Sequence, residues 1–300
     1  MAKLTGWRRV ASAMWGPPSD AQIYGALDVD AGPTLAFLAR ARAAGHHVTV
    51  THLVGKAVAH ALAEVPDLNV RIRGSRAVTR SSIDIFFITA VQGGHDLSGV
   101  KVPHVSERPV VEVAAELARR AARLKAGEDR EFSRSKKVMD HLPQPLLRAA
   151  LRATAYLTNA LQLELPMLGL HPSPFGSAMV TSVGMFGLPQ GFAPLAWMYD
   201  VPLLVLVGEV SERAEVVDHQ VVPRQVLPLT ATIDHRYVDG WHVSRLVRAF
   251  RDYLAAPEAF EPPFTAAAAE GEEGRAAEAL APDGLPEARD EEGELLDQGA

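Results

Sequence analysis

The 300-residue chain contains no cysteine. This absence excludes disulfide bonds, thiolate nucleophiles and zinc sites built from cysteine, and it fits a reducing compartment. The chain also lacks an apolar run of about 18 residues and begins without the apolar core of a signal peptide. We therefore predict a cytoplasmic protein with no transmembrane segment. No basic stripe with interleaved aromatic residues is present either, which argues against a nucleic-acid partner.

Acidic residues are concentrated at one end of the chain. The net charge is −6, but residues 261–300 alone hold twelve Asp/Glu and two Arg, a net of −10 that leaves +4 for residues 1–260. The acidic segment is rich in Ala, Glu, Gly and Pro and offers little apolar surface to bury. We predict a folded domain over residues 1–260 and a disordered tail over residues 261–300. The mildly positive domain suits an anionic ligand.

Hydrophobic periodicity predicts an α/β protein. Helical spacing and capping residues indicate helices, and alternating or continuous apolar runs indicate strands. The predicted helices are Asp30–Ala44, Thr49–Leu62 and Val110–Leu124, and the predicted strands are Gln22–Val29, Ile83–Val91, Pro202–Gly208, and a hairpin of Val216–Val222 with Val226–Ile233. Four histidines invite a metal interpretation, but they fit loop and helix-surface positions better, so we predict no metal site. They are His46, His47, His52 and His60.

His235 is the strongest candidate for a reactive side chain. It follows the alternating run that ends at Ile233, and a helical pattern begins after Gly240. A side chain at such a junction is held by a rigid element while its tip stays accessible. Imidazole can take a proton from a thiol or hydroxyl near neutral pH and later return it. The alternative is a surface ion-pair network with the adjacent Asp234 and Arg236.

The sequence around His235 resembles a known family. The residues Asp234, His235, Arg236, Asp239 and Gly240 match the Asp-His-Arg-x-x-Asp-Gly motif of the dihydrolipoamide acyltransferases, the core subunits of 2-oxoacid dehydrogenase complexes. Chloramphenicol acetyltransferases share the motif. Three further segments are similar to family motifs in the same order, namely Leu4–Met14, Ser177–Gly187 and Pro202–Gly208.

The resemblance implies a chloramphenicol acetyltransferase-like fold, an α+β sandwich in which helices flank a mixed β-sheet and which forms homotrimers. It implies acyl transfer between coenzyme A and a dihydrolipoyl thiol, with His235 as general base. Thr181 aligns with the family's catalytic serine and would stabilise the oxyanion, with Ser182 as the reserve donor. Asp239 would hold the His235 turn, paired with Arg9 or its neighbour. Arg236 and Gly240 would support the same turn.

Substrate contacts and partners follow from the same resemblance. Ser182 and Lys101 are candidate coenzyme A contacts, although Lys101 also fits a solvated lysine on a strand edge. The family implies a lipoylated carrier protein, dehydrogenase subunits and a larger cage as partners. We expect no lipoyl or subunit-binding domain before the catalytic motifs, which leaves another small thiol, amine or alcohol as a possible acceptor. A catalytically weak trimeric scaffold is the alternative function, since threonine replaces the serine.

One segment has no counterpart in the family pattern. About forty extra residues, 133–176, precede the strand that bears Thr181. Within them leucines recur at helical spacing from Leu146 to Leu165, and Arg148 and Arg152 interrupt any membrane-spanning pattern. A lid over the acyl group, a membrane-surface contact, an oligomer contact and additional packing against the domain all remain open.

Overall fold

A computed structural model describes residues 21–73, 76–91, 96–125, 144–164, 171–195 and 199–265. Nine strands are described there: β1 (Gln22–Asp30), β2 (Val70–Arg73), β3 (Arg76–Thr79), β4 (Ile85–Val91), β5 (Asp96–Val102), β6 (Ala178–Ser182), β7 (Leu203–Val207), β8 (Ser211–Val217) and β9 (Gln220–Asp234). The α-helices of the same ranges are α1 (Gly32–Ala43), α2 (Val50–Glu64), α3 (Val110–Lys125), α4 (Gln144–Ala155) and α5 (Gly240–Ala255).

A mixed seven-stranded sheet forms the centre of this structure. Its strand order is β1-β9-β7-β6-β4-β5, and β8 pairs with the first part of β9. The pairs β4–β6 and β6–β7 are parallel, whereas the other pairs of the sheet are antiparallel. Strands β2 and β3 form a separate antiparallel hairpin. The predicted mixed α/β architecture is therefore confirmed.

Strand alternation divides the sheet into two faces. On β7, Leu203, Val205 and Val207 join the main core with helices α1, α2, α3 and α5. Leu204 faces the other way, where it packs with Met179 and Val201 in a smaller apolar cluster. All of these side chains are buried, and each large one contributes about 1.5–3 kcal/mol to the free energy of unfolding. Burial on both faces explains why β7 is a continuous apolar run in the sequence.

Most predicted elements coincide with observed ones, and the differences have local causes. The hairpin predicted from Val216–Val222 and Val226–Ile233 turns earlier, at Asp218 and His219, which both have positive φ, so residues 220–222 belong to β9. The hairpin of β2 and β3 was not predicted, because each of its strands has only four residues, too few for a clear periodicity. Strand β5 begins at Asp96, within the predicted loop 92–99. Helix α4 ends at Ala155 and continues only as one π-helical turn, Tyr156–Ala160, so the leucine periodicity that runs to Leu165 overestimates its length. Among the described helices, none combines the length and apolarity needed to cross a bilayer.

The compact part of the chain extends beyond the predicted boundary at residue 260. Glu261 is buried, and its carboxylate accepts hydrogen bonds from the Val110 backbone N–H at 2.7 Å and the Tyr253 hydroxyl at 2.6 Å. Phe264 packs against Phe37, with ring centroids 4.9 Å apart. An acidic residue next to an acidic segment looks like part of that segment, and only the folded chain provides its partners.

Candidate active site

His235 lies at the end of the longest strand of the sheet. Strand β9 is paired with β1 and β7 up to Asp234, and the His235 backbone N–H donates to the Ala21 carbonyl at 2.8 Å. The side chain is exposed, and its imidazole makes no hydrogen bond to any residue of the described ranges. The backbone at His235 is thus fixed by two neighbouring strands while the ring is free to meet a substrate.

The residues on either side of His235 bond to each other. The Arg236 guanidinium contacts the Asp234 carboxylate through Nε at 3.0 Å and through its terminal nitrogen at 2.6 Å. This charge-assisted pair raises the pKa of Arg236 above its ordinary value. The Tyr237 backbone N–H then donates to the Asp234 carbonyl at 3.0 Å. Two of the motif residues therefore close a tight turn around His235.

Asp239 begins helix α5. Its carboxylate accepts hydrogen bonds from the backbone N–H groups of Trp241 at 3.0 Å and His242 at 3.1 Å, and it contacts the His242 imidazole at 2.7 Å. These bonds, first those from His242, lower the pKa of Asp239. An aspartate at this position satisfies amide groups that have no partner within the helix. Asp239 accordingly contacts the helix and not the imidazole of His235. Gly240 is the first residue of the helix.

Thr181 and Ser182 are the last two residues of β6. Val180, two residues before Ser182, belongs to the main core, and Met179, two residues before Thr181, belongs to the smaller cluster on the opposite face. Because successive side chains of a strand alternate, Thr181 and Ser182 face opposite sides of the sheet. The two hydroxyl groups therefore cannot substitute for each other at one site.

The loop after β6 is held by close backbone packing. A methyl group on Gly184 would lie 2.6 Å from the Gly208 carbonyl oxygen, and one on Gly208 would lie 2.1 Å from the Pro189 carbonyl oxygen. The Val183 backbone N–H donates to the Val207 carbonyl at 2.9 Å. Only glycine permits this approach of the two loops that follow β6 and β7. The hydroxyl groups of Thr181 and Ser182 make no hydrogen bond within the described chain.

Within one chain, His235 and Thr181 lie at opposite ends of the sheet. Thr181 is in register with Leu206 on β7, which is in register with Thr230 on β9. His235 is five residues beyond Thr230, a distance of roughly 16 Å along the strand, and two strand spacings add about 10 Å sideways. A general base and an oxyanion donor must both reach one thioester group. One copy of the chain does not bring these two side chains together.

Lys101 is engaged by the segment that precedes β6. Its ammonium group donates to the backbone carbonyls of Pro172 at 3.3 Å and Ser173 at 3.1 Å, and burial lowers its pKa. The lysine is therefore half-buried and bonded, unlike the solvated lysine considered from the sequence. Two of its three donors are used. Arg9, the remaining predicted support residue, lies outside the described residues.

Three residues that contact the His235 turn or support it were missed by sequence reasoning. The Tyr237 hydroxyl, within the turn, donates to the Asp200 carboxylate at 3.1 Å, and the Arg73 guanidinium reaches the same carboxylate at 3.1 Å. Tyr237 occupies a variable position of the motif, and Asp200 is distant from it in sequence. No sequence signal connects them. The described residues contain no group of three His, Asp or Glu side chains that could hold a metal ion.

Comparison with protein-family models gives a match over most of the chain. The family model for the 2-oxoacid dehydrogenases acyltransferase (catalytic domain) matches residues 3–132 and 173–261. The chain belongs to this acyltransferase family. The match omits residues 133–172, which nearly coincide with the extra segment 133–176 inferred from the sequence.

Individual relatives are more distant. The chain is 23% identical over 215 residues to the dihydrolipoyllysine-residue acetyltransferase component of the acetoin cleaving system of Bacillus subtilis, covering 72% of this chain and 43% of the relative. The chain thus spans under half the length of that relative.

Solved structures support the fold. A "probable dihydrolipoamide acetyltransferase" from Listeria monocytogenes superposes with a TM-score of 0.59 at 19% identity, covering 89% of this chain and 97% of the other. The cubic core of the pyruvate dehydrogenase multienzyme complex superposes with a TM-score of 0.57 at 20% identity, covering 81% of this chain and 84% of the other. At these identities the likeness establishes the architecture alone.

Proposed function

We propose that this protein transfers an acyl group between coenzyme A and a small thiol, with His235 as the general base and Thr181 as the oxyanion donor. The complete Asp-His-Arg-x-x-Asp-Gly turn is the observation that carries the proposal. Its flanking residues bond among themselves or to the helix, which leaves the exposed imidazole available for proton transfer. A dihydrolipoyl group, free or on a carrier protein, is the acceptor that the family suggests.

The reaction needs one proton carrier and one hydrogen-bond donor. His235 removes the thiol proton, and the resulting sulfur nucleophile attacks the thioester carbonyl carbon. The tetrahedral intermediate carries a negative oxygen, which the Thr181 hydroxyl stabilises by about 3–4 kcal/mol. The intermediate collapses, the bond to the coenzyme A sulfur breaks, and His235 returns its proton to that sulfur. No group is oxidised or reduced, and the histidine is regenerated neutral.

The separation of the two residues supports a site shared between copies. Thr181 and His235 lie at opposite ends of their strands, so the site is completed when the His235 end of one copy meets the Thr181 end of another. A closed ring of copies, as in a trimer, repeats this contact at every interface. Several large apolar side chains near the Thr181 end are exposed, as expected of a surface that another copy covers. They are Met185, Phe186 and Leu188.

A catalytically weak scaffold of the same fold is the second candidate. The threonine at position 181 favours it, because its extra methyl group restricts the rotation of the hydroxyl. The test is transfer from acetyl-, succinyl- and branched acyl-coenzyme A to dihydrolipoamide and to small thiol, amine and alcohol acceptors, with purified oligomer. Turnover with any pair supports the enzyme and identifies its acceptor. A folded oligomer that neither catalyses transfer nor binds coenzyme A would contradict the acyltransferase and support the scaffold function.

A further inference from the structure

A polar cluster lies beneath the His235 turn and connects it to distant parts of the chain. We name it the Asp200 cluster; its members are Arg71, Arg73, Arg80, Asp200 and Tyr237. The three arginines come from the hairpin β2–β3 and the residue after it, Asp200 precedes β7, and Tyr237 belongs to the turn. All five are buried or half-buried. The proposed mechanism uses none of them directly.

Asp200 is held at several points. Its carboxylate accepts hydrogen bonds from the Arg73 guanidinium at 3.1 Å and 3.5 Å and from the Tyr237 hydroxyl at 3.1 Å. Its backbone carbonyl accepts from the Arg80 guanidinium at 2.5 Å. Its backbone has φ of +54°, in the left-handed region that few residues other than glycine occupy. A residue in that conformation persists where its surroundings determine it.

The protonation states in the cluster suit a rigid contact. Burial, followed by the charge of Asp200, raises the pKa of Tyr237, so its hydroxyl keeps its proton and donates. Burial lowers the pKa of Arg80 to about 10, which still leaves the guanidinium charged at neutral pH. Three cations therefore surround one carboxylate. Charge-assisted bonds in such surroundings are stronger than bonds between neutral groups.

The same cluster is tied to the segment that the family model omits. The Arg71 guanidinium donates to the Ser173 hydroxyl at 3.4 Å, and that hydroxyl donates to the Gln162 side-chain carbonyl at 3.3 Å. The Gln162 amide in turn donates to the carbonyls of Thr158 at 2.8 Å and Asn159 at 2.7 Å, in the π-helical turn after α4. Hydrogen bonds thus run from this segment to Arg71, which feels the charge of Asp200 without bonding to it. Arg73, two residues further along β2, bonds to the Asp200 carboxylate, so β2 links the segment to the His235 turn.

We propose that Tyr237 and Asp200 are positioning residues for His235, and that the extra segment braces them through Ser173 and Arg71. The expected effect on catalysis rests on the proposed function, whereas the expected effect on the position of His235 does not. The Asp234–Arg236 pair and the Asp239 cap fix the turn at its two ends. Between them, Tyr237 ties the turn to the Asp200 carboxylate through its hydroxyl. Loss of its hydroxyl would let His235 move relative to β9. A displacement of about 1 Å at a reacting group can cost a factor of about 100.

The variants that test this proposal are Tyr237→Phe, which removes one hydroxyl, and Ser173→Ala, which breaks the link to the extra segment. Tyr199→Phe is the matched control, because Tyr199 precedes Asp200 and its hydroxyl makes no hydrogen bond within the described chain. The first measurement is the imidazole Cε1–H NMR signal of His235 and its titration with pH, with the signal assigned by its loss in His235→Ala. The second is kcat and KM for acyl-coenzyme A.

For Tyr237→Phe we expect a shifted or broadened His235 signal, a kcat about tenfold lower, and an unchanged KM. Ser173→Ala should change the same signal less and lower kcat by about two- to threefold, and Tyr199→Phe should change neither. An unaltered His235 signal and kcat in folded Tyr237→Phe would overturn the proposal. If the wild-type protein shows no turnover, the proposed function fails, whereas the NMR titration still decides whether Tyr237 positions His235.

Discussion

The two ends of the candidate site are held in different ways. At the His235 end, side-chain contacts fix the backbone: an ion pair closes the turn, Asp239 caps the next helix, and Tyr237 bonds to a half-buried carboxylate. At the Thr181 end, backbone contacts fix the loop after β6, because Gly184 and Gly208 allow two loops to touch. The difference follows from position. Thr181 is part of a central strand, whereas His235 lies just past the end of one.

This comparison explains where the site tolerates change. A hydroxyl on a paired strand is oriented by the sheet itself and needs no side-chain partner to fix its backbone. An imidazole on a turn depends on the bonds that fix the turn. Substitutions of polar side chains should therefore affect the His235 end, and substitutions that add volume should affect the Thr181 end.

The largest effect is expected for His235→Ala. Removal of a general base typically costs a factor of about 10²–10⁴ in rate, and steady-state acyl transfer measures it. His47→Ala is the matched control, because His47 is exposed in the loop after α1 and makes no hydrogen bond within the described residues. Equal activity of the two variants would remove His235 from the mechanism.

Substitutions at β6 should separate two neighbouring hydroxyl groups. Thr181→Ala removes the proposed oxyanion donor and should lower kcat by about 10²–10³, whereas Thr181→Ser should retain most of the activity. Ser182→Ala should have a small effect, because Ser182 faces the other side of the sheet. The measurement is kcat for all three variants with saturating substrates. A larger loss of kcat in Ser182→Ala than in Thr181→Ala would mean that Ser182, and not Thr181, is the oxyanion donor.

Sequence reasoning predicted the parts of this molecule that depend on local patterns. Helix α2 and strand β7 have clear apolar periodicity, and the turn at His235 has a family motif. The Asp200 cluster could not be predicted, because Arg73, Asp200 and Tyr237 are distant in sequence and only the folded chain brings them together. Glu261 was placed in the acidic tail for the same reason. Nothing in the sequence near Glu261 indicates that its carboxylate accepts hydrogen bonds from the Val110 backbone N–H and the Tyr253 hydroxyl.

At the Thr181 end, Gly184→Ala should be more harmful than its size suggests. The new methyl group would meet the Gly208 backbone at 2.6 Å, so one loop must move, at a cost of about 1–3 kcal/mol in the free energy of unfolding. Thermal unfolding and kcat should both fall. Gly191→Ala is a suitable control, because a methyl group there would make an ordinary contact at 3.8 Å with Leu206. Equal stability of both variants would contradict the role of close packing.

The smallest effect concerns the Asp239 cap and its dependence on pH. The pKa of Asp239 is lowered in the folded protein, so its carboxylate stabilises the fold above the ordinary aspartate pKa, and this contribution is lost as pH falls through the lowered value. Asp239→Asn keeps an oxygen acceptor but does not titrate. The unfolding midpoints of both proteins should therefore begin to converge below about pH 4 and meet once pH has fallen below the lowered pKa of Asp239. A constant difference across that range would mean that the charge of Asp239 has no part in capping.

The central claim is that His235 of one copy and Thr181 of another form one site. His235→Ala and Thr181→Ala chains, carrying different affinity tags, can be co-expressed and purified as mixed oligomers. In a mixed trimer that contains both variants, one interface of the three combines an intact histidine with an intact threonine. We therefore predict about a third of wild-type activity from two inactive variants. Mixed oligomers as inactive as either parent would contradict the shared site.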